Sequence, residues 1–117
     1  CAQMERLPQM LEIKAEVAAR YRDFFAGTDV RFVEPLPDTT ANYWLNAIVL
    51  GTEAERDALL DYTNSRDVMT RPIWRLMSRL AMFEHCQHDG LEHSRWLEAR
   101  VVNLPSSVPE SAFGRLH

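Results

Sequence analysis

The sequence has little cysteine, a single lysine and no long apolar run. Two cysteines, Cys1 and Cys86, are too few for a disulfide scaffold in 117 residues, because small secreted folds of that type are rich in cysteine. The apolar runs, such as residues 47–50, are far shorter than the roughly 20 residues that a membrane-spanning helix needs. We therefore expect a cytoplasmic protein without a membrane partner.

The shortage of lysine limits the chemistry that the chain can perform. Lys14 stands alone beside twelve arginines, so any mechanism that needs a lysine amine has this side chain only. Lys14 lies in a predicted helix with Glu12 and Glu16, and we expect its ammonium to extend into water from the helix surface. No catalytic residue is predicted in this chain.

Length, composition and charge indicate one globular domain over residues 1–117. Apolar residues make up 46% and charged residues 26%, which are ordinary values for such a domain. The formal net charge of −4 argues against nucleic acid as a partner. The chain opens on Cys1 without an initiator methionine, and we expect this start to be a truncation.

The first half of the sequence predicts a helix, a short strand and a longer strand. Apolar residues recur at spacings of three and four over residues 3–26, with Pro8 either starting or kinking the helix and Gly27 ending it. Residues 30–33 and residues 43–51 are the strand candidates, separated by a loop that contains two prolines.

The second half continues the alternation of helices and strands. Thr52 and Glu55 form a capping box that opens a helix, and residues 67–72 are the next strand. Asp89 and Glu92 have the same spacing and predict a helix over residues 91–99, followed by a strand over residues 101–105. This order favours an α/β (α+β) fold, a two-layer sandwich with a small mixed or antiparallel sheet whose helices cover one face.

Two stretches bear candidate binding residues. In "TRPIWR", residues 70–75, Arg71 and Arg75 flank Trp74 at the end of a predicted strand. Guanidinium groups bind phosphate or carboxylate bidentately, and an indole face stacks on a sugar or a base. "NYWLN", residues 42–46, adds Asn42 and Trp44 at the start of a strand. Core packing and surface arginines explain both stretches equally well.

The stretch "FEHCQHDGLEH", residues 83–93, concentrates histidine, cysteine and acids. Structural zinc sites usually use paired cysteines or histidines at fixed spacing, and Cys86 has no cysteine near it in the sequence. A metal module built on Cys86, His85 and His88 therefore stays only as an alternative. Ser106 and Ser107 lack the surroundings of a nucleophile and are read as turn residues.

In order and spacing, "NYWLNAIV", "DVMTRPIWR" and "RVVNLPSS" resemble the C-terminal portion of the DegT/DnrJ/EryC1/StrS family of PLP-dependent nucleotide-sugar aminotransferases. The opening "AQMERLPQMLEIKAEVAARYRDFF" is similar to the long helix of that family. "TRPIWRLM" and "WLEARVVNLPSSV" look closest to members that aminate 4-keto-6-deoxy UDP- or GDP-sugars for surface polysaccharides.

The resemblance implies the small C-terminal domain of a fold type I aminotransferase. Its pyridoxal 5'-phosphate would form a Schiff base with a lysine of a large domain absent from this chain, so the fragment would be inactive alone. The full-length homodimer would transfer an amino group from a donor such as glutamate to a keto-deoxy nucleotide sugar of the perosamine or bacillosamine type.

By the same resemblance, Arg71, Trp74 and Arg75 are candidate substrate contacts, with Asn42 and Trp44 as weaker ones. Many members have Pro-Leu-His after the position of Arg75, whereas this sequence has Leu76, Met77 and Ser78. The histidine contact expected there is absent. A stand-alone module that binds a small anion through Arg71 and Arg75 is the alternative function.

Overall fold

A computed structural model describes residues 2–109, 112 and 114, and four strands in it form one antiparallel sheet. The strands are β1 (Arg31–Phe32), β2 (Asn46–Val49), β3 (Arg71–Pro72) and β4 (Val101–Leu104), arranged in the order β1-β2-β4-β3. β2 and β4 pair over four residues each, with Ile48 opposite Val102. Cys1 lies outside the described residues.

The main helices are α2 (Leu7–Phe25) and α3 (Glu53–Asn64). A short helix α1 (Ala2–Glu5) precedes them, and a 3₁₀ turn (Met77–Arg79) and helix α4 (Glu92–Glu98) follow β3. No helix in the described part of the chain has both the length and the apolar character needed to cross a bilayer.

Local sequence signals account for the ends of α2 and for the start of α3. Pro8 stands in the first turn of α2, where its missing N–H is not needed, so it starts the helix instead of kinking it. Gly27 follows the helix with a φ of +80°, a conformation that glycine adopts without steric cost. The predicted capping box is confirmed, because Thr52 and Glu55 exchange backbone-to-side-chain hydrogen bonds of 3.0 and 3.2 Å.

Helices α2 and α3 cover the same face of the sheet. Every second side chain along a strand points to the same face of the sheet. On one face, Ile48, Leu50, Val102 and Leu104 form the main core cluster. Tyr21 and Phe25 of α2 and Leu59 and Leu60 of α3 pack against it. The predicted two-layer α+β sandwich is therefore confirmed, with an antiparallel sheet.

Two predicted strands are much shorter than the sequence suggested. β2 begins only at Asn46 because Tyr43 takes a left-handed conformation with a φ of +48°, which breaks an extended chain. The strand predicted over residues 67–72 is reduced to Arg71–Pro72, and Asp67 is also left-handed.

The predicted Asp89–Glu92 helix cap is wrong. Leu91, at a φ of +53°, occupies the N-cap position of α4, where no side chain caps the helix. The Asp89 carboxylate instead accepts a hydrogen bond of 2.8 Å from the Leu91 backbone N–H. Aspartate often forms such a local turn, in which its side chain accepts from the backbone N–H two residues later. A carboxylate used in this way is not available to cap the helix.

Tyr21 generates a prediction about alkaline pH. Its hydroxyl donates a 2.9 Å hydrogen bond to the Pro105 carbonyl, and burial raises the pKa of Tyr21 above its usual value of 10.0. The unfolded chain then releases this proton at lower pH than the folded chain does. The free energy of unfolding should fall as the pH rises through about 10 toward the raised pKa.

Urea unfolding at about pH 9 and about pH 11 measures this loss. Tyr21→Phe should lose less stability than the wild type between the two pH values, since it has no phenol to ionise. Tyr62→Phe is the matched control because the Tyr62 side chain is exposed. Equal losses in the wild type and Tyr21→Phe would contradict the assignment.

Candidate functional site

Two exposed tryptophans from separate segments lie side by side. Trp44 precedes β2 and Trp74 follows β3, and their ring centroids are 6.1 Å apart with the ring planes inclined by 31°. Trp44 is 67% exposed and Trp74 is 63% exposed. Large aromatic side chains are usually among the most buried in a small domain. An exposed pair of this kind makes this surface a candidate binding site.

Two adjoining clefts of about 820 and 400 Å³ lie beside the pair, and Trp44 lines the smaller one. Trp74 and Asn103 line both of them. Because Asn103 alternates with the core residues Val102 and Leu104 along β4, its side chain belongs to the sheet face opposite α2 and α3. We call the two clefts the tryptophan groove; its lining includes Asn42, Trp44, Asn46, Arg71, Trp74 and Asn103.

Four of the five candidate residues from the sequence thus come together, and the fifth does not. Asn42, Trp44, Arg71 and Trp74 line the tryptophan groove. Arg75 lines a different cleft, beside helices α3 and α4. Arg71 and Arg75, through which the alternative function would bind an anion, therefore line different clefts, which share Pro72 and Ile73.

Asn42 fixes the backbone ahead of β2. Its side-chain carbonyl accepts a 3.0 Å hydrogen bond from the Trp44 backbone N–H, a turn that asparagine forms two residues ahead. The bond helps to hold Trp44 at its place in the groove. Asn42 therefore acts on the position of the tryptophan in addition to lining the cleft.

Sequence reasoning missed Asn46, Asn103 and the structural part played by Ser106. The Asn46 backbone N–H and side-chain amide both donate to the Ser106 hydroxyl, at 2.7 and 3.2 Å. That hydroxyl donates in turn to the Leu104 carbonyl at 2.8 Å. Ser106 is buried, so the chain is held in place at this residue.

The side-chain oxygen of Asn46 is a buried acceptor that lacks a partner among the described residues. Asn46 is only 2% exposed, and an unmatched buried acceptor destabilises a fold. The sequence did contain a signal, since Asn46 and Asn103 are polar residues inside the apolar stretches "NAIV" and "VVNL".

The ammonium of Lys14 connects α2 to both sides of this cluster. It donates to the carbonyl of Tyr43 at 3.2 Å and also to the carbonyl of Ser106. The expectation that this group extends into water is therefore wrong. Tyr43 precedes Trp44, and Ser106 follows β4, so the only lysine of the chain fixes two segments that border the tryptophan groove.

The histidine- and cysteine-rich stretch does not form a metal centre. Within the described residues, no three histidine, cysteine or acidic side chains are placed to hold an ion. Cys86 is exposed and lines, with His88, Phe83 and Leu76, a cavity of about 370 Å³ that is mainly apolar. The Nδ1 atom of His88 is hydrogen-bonded to the Asp89 carbonyl.

Solved structures show which class of fold this is. The fold superimposes on the aminotransferase TlmJ from Streptoalloteichus hindustanus with a TM-score of 0.77 and 22% identity, covering 97% of this chain and 31% of that one. Helicobacter pylori PseC, an aminotransferase of pseudoaminic acid biosynthesis, gives a TM-score of 0.81 at 12% identity, covering 97% and 32%. At these identities the likeness establishes the fold of an aminotransferase segment and no more.

The sequence itself establishes the family. A profile of the DegT/DnrJ/EryC1/StrS aminotransferase family matches residues 1–110, and the chain belongs to that family. The GDP-perosamine synthase of Vibrio cholerae is 32% identical over 108 residues, which are 90% of this chain and 29% of the relative. The chain thus spans less than a third of the length of the proteins it matches.

Lys14 generates the prediction of this subsection. Lys14→Met keeps the aliphatic stem but leaves the two carbonyls without their charged donor. We expect a loss of about 1.5–3 kcal/mol in the free energy of unfolding, the usual range for hydrogen bonds to a charged group. Urea unfolding measures the loss, and the tryptophan emission of the native state reports a change around Trp44.

Arg20→Met on the same helix is the matched control. Arg20 is exposed, so its replacement should change stability by less than about 0.5 kcal/mol. If both variants lose the same small amount, the two hydrogen bonds of Lys14 do not hold these segments.

Proposed function

We propose that this chain is the C-terminal domain of a PLP-dependent aminotransferase and that the tryptophan groove binds its nucleotide-sugar substrate. The complete enzyme would move an amino group from a donor such as glutamate to a keto carbon of a keto-deoxy sugar. Membership of the family supports the reaction class. The similarity to a GDP-perosamine synthase supports a GDP-linked deoxysugar.

The proposal depends on one observation, the exposed pair of Trp44 and Trp74. Indole faces stack on bases whatever their sequence, and each such contact contributes about 1–3 kcal/mol. The two clefts also have the size of small-molecule sites, which run from about 300 to 1,000 Å³. A groove of this kind suits an extended ligand that has a planar base at one end and a sugar at the other.

Arg71 and Asn103 supply the polar contacts that such a ligand needs. Arg71 is exposed, and its guanidinium has no hydrogen-bond or ion-pair partner among the described residues. A guanidinium in this position can bind two oxygens of a phosphate at once. The amide of Asn103 can both donate to and accept from sugar hydroxyls. These groups would orient a substrate that stacks on the exposed indole faces.

The residues of this chain do not fit the covalent attachment of the cofactor. When bound, pyridoxal phosphate acts as an electron sink for the amino transfer. The single lysine of the chain, Lys14, is engaged with two backbone carbonyls in a helix that faces the core. In our proposal the cofactor is therefore held by the rest of the enzyme, and the isolated chain has no transaminase activity.

Exposed apolar side chains are consistent with a domain that packs on more protein. Phe24, Leu36 and Met4 are 74%, 75% and 65% exposed, and large apolar surfaces usually mark contacts. In our proposal they face the rest of the subunit or its partner in a cytoplasmic homodimer. Surface polysaccharide synthesis is the setting that the proposed substrate suggests.

Steady-state kinetics on the complete gene product test this proposal. With PLP, glutamate and a GDP-linked 4-keto-6-deoxy sugar, the wild type should form the amino sugar, and the UDP-linked analogue compares the two nucleotides. Trp44→Ala and Trp74→Ala should each raise KM for the sugar about tenfold or more, because each removes a stacking face.

Trp96→Ala is the matched control. Trp96 is 45% exposed on α4, where the guanidinium of Arg100 lies 4.7 Å from its ring centroid, and it is not part of the groove. Its replacement should leave KM unchanged. An inactive complete gene product would refute the proposed function. An active enzyme whose KM for the sugar is unchanged in Trp44→Ala and Trp74→Ala would refute only the assignment of the tryptophan groove as the substrate site.

A further inference from the structure

A second cleft gathers four arginines from four segments of the chain. It lies beside α3 and α4 and has a volume of about 540 Å³, within the range of small-molecule sites. We call it the arginine cleft. The four come from α3, the segment after β3, the 3₁₀ turn and α4: Arg56, Arg75, Arg79 and Arg95.

Two of these arginines are held by the acids of the cleft. Arg56 lies 3.1 Å from Glu53 and 2.7 Å from Asp57, and it donates to the Glu98 carbonyl at 2.9 Å. Arg79 lies 3.1 Å from the Glu98 carboxylate. The side chains of Arg56 and Glu98 are only 14% and 12% exposed. All three acids that line the cleft are therefore paired.

The other two arginines are uncommitted. Across residues 2–109, 112 and 114, the guanidiniums of Arg75 and Arg95 have neither an ion pair nor a hydrogen bond, and both residues are exposed. Four arginines against three acids leave one formal positive charge in the cleft. Ile73 and Leu60 form part of its wall, and an apolar wall strengthens the attraction of a charge for its counter-ion.

We propose that the arginine cleft binds a small oxyanion, the phosphate or carboxylate group of a small molecule, between Arg75 and Arg95. The planar fork of a guanidinium matches two oxygens of either group. Arg56 and Arg79 are already paired with the three acids, so the positive charge available to the anion is that of Arg75 and Arg95. This site adjoins the tryptophan groove, since Pro72 and Ile73 line both, but it uses other arginines and does not rest on the function proposed above.

Thermal stabilisation of the complete gene product, saturated with PLP, tests the site. Inorganic phosphate is titrated in one series and succinate in another at constant ionic strength, since a ligand of the native state raises the melting temperature by mass action. The series with the tighter binding identifies the anion. Arg75→Gln and Arg95→Gln should each weaken that binding about tenfold, the effect of losing a charge-assisted hydrogen bond.

Two control variants make the test specific. Arg20→Gln removes an exposed arginine of α2, and Arg71→Gln removes the arginine of the tryptophan groove; both should bind the anion as the wild type does. Among the described residues neither Arg75 nor Arg95 has a partner to lose, so their variants should keep the unliganded melting temperature. Equal weakening by Arg20→Gln, weakening by Arg71→Gln alone, or no stabilisation by either anion would each overturn the proposal.

Discussion

The pairing of β2 with β4 is the constraint on which the rest of this fold depends. These are the two central strands, and they place Ile48 opposite Val102 at the centre of the core. Both side chains are almost completely buried, at 1% and 0% exposure. The outer strands add only two residues each, too few to set a register without this central pair. A one-residue slip between β2 and β4 would exchange the core face for the groove face.

The same pairing separates the core face of the sheet from the face of the tryptophan groove. Helices α2 and α3 cover the face that contains Ile48 and Val102, while Asn103 belongs to the face on which the two tryptophans meet. Lys14 ties the two layers together, because it reaches from α2 to the segments on either side of the Asn46–Ser106 hydrogen bonds. A substitution in the helix layer can therefore change the groove without touching it.

The sequence predicted the elements better than it predicted their ends. Periodicity and capping chemistry are local, and so α2, the Thr52–Glu55 cap and the order of the elements were confirmed. Tyr43 and Leu91 are left-handed, a conformation that neither tyrosine nor leucine favours, so their residue types gave no sign of it. This is why β2 starts late and the Asp89 cap was wrong. The partners of Lys14 lie 29 and 92 residues away in the chain, beyond the reach of any pattern argument.

For the candidate site as well, closeness in the sequence did not predict which residues share a cleft. Arg71, Trp74 and Arg75 are neighbours in sequence, yet Arg75 belongs to the arginine cleft while Arg71 and Trp74 belong to the tryptophan groove. Strand alternation alone would place Arg71 and Arg75, four residues apart, on one face, but β3 ends at Pro72 and the chain beyond it is no longer a strand. Trp44 and Trp74, thirty residues apart, have ring centroids only 6.1 Å apart, although one precedes β2 and the other follows β3. The family match covers both segments, but only their placement in three dimensions shows which of their side chains lie together.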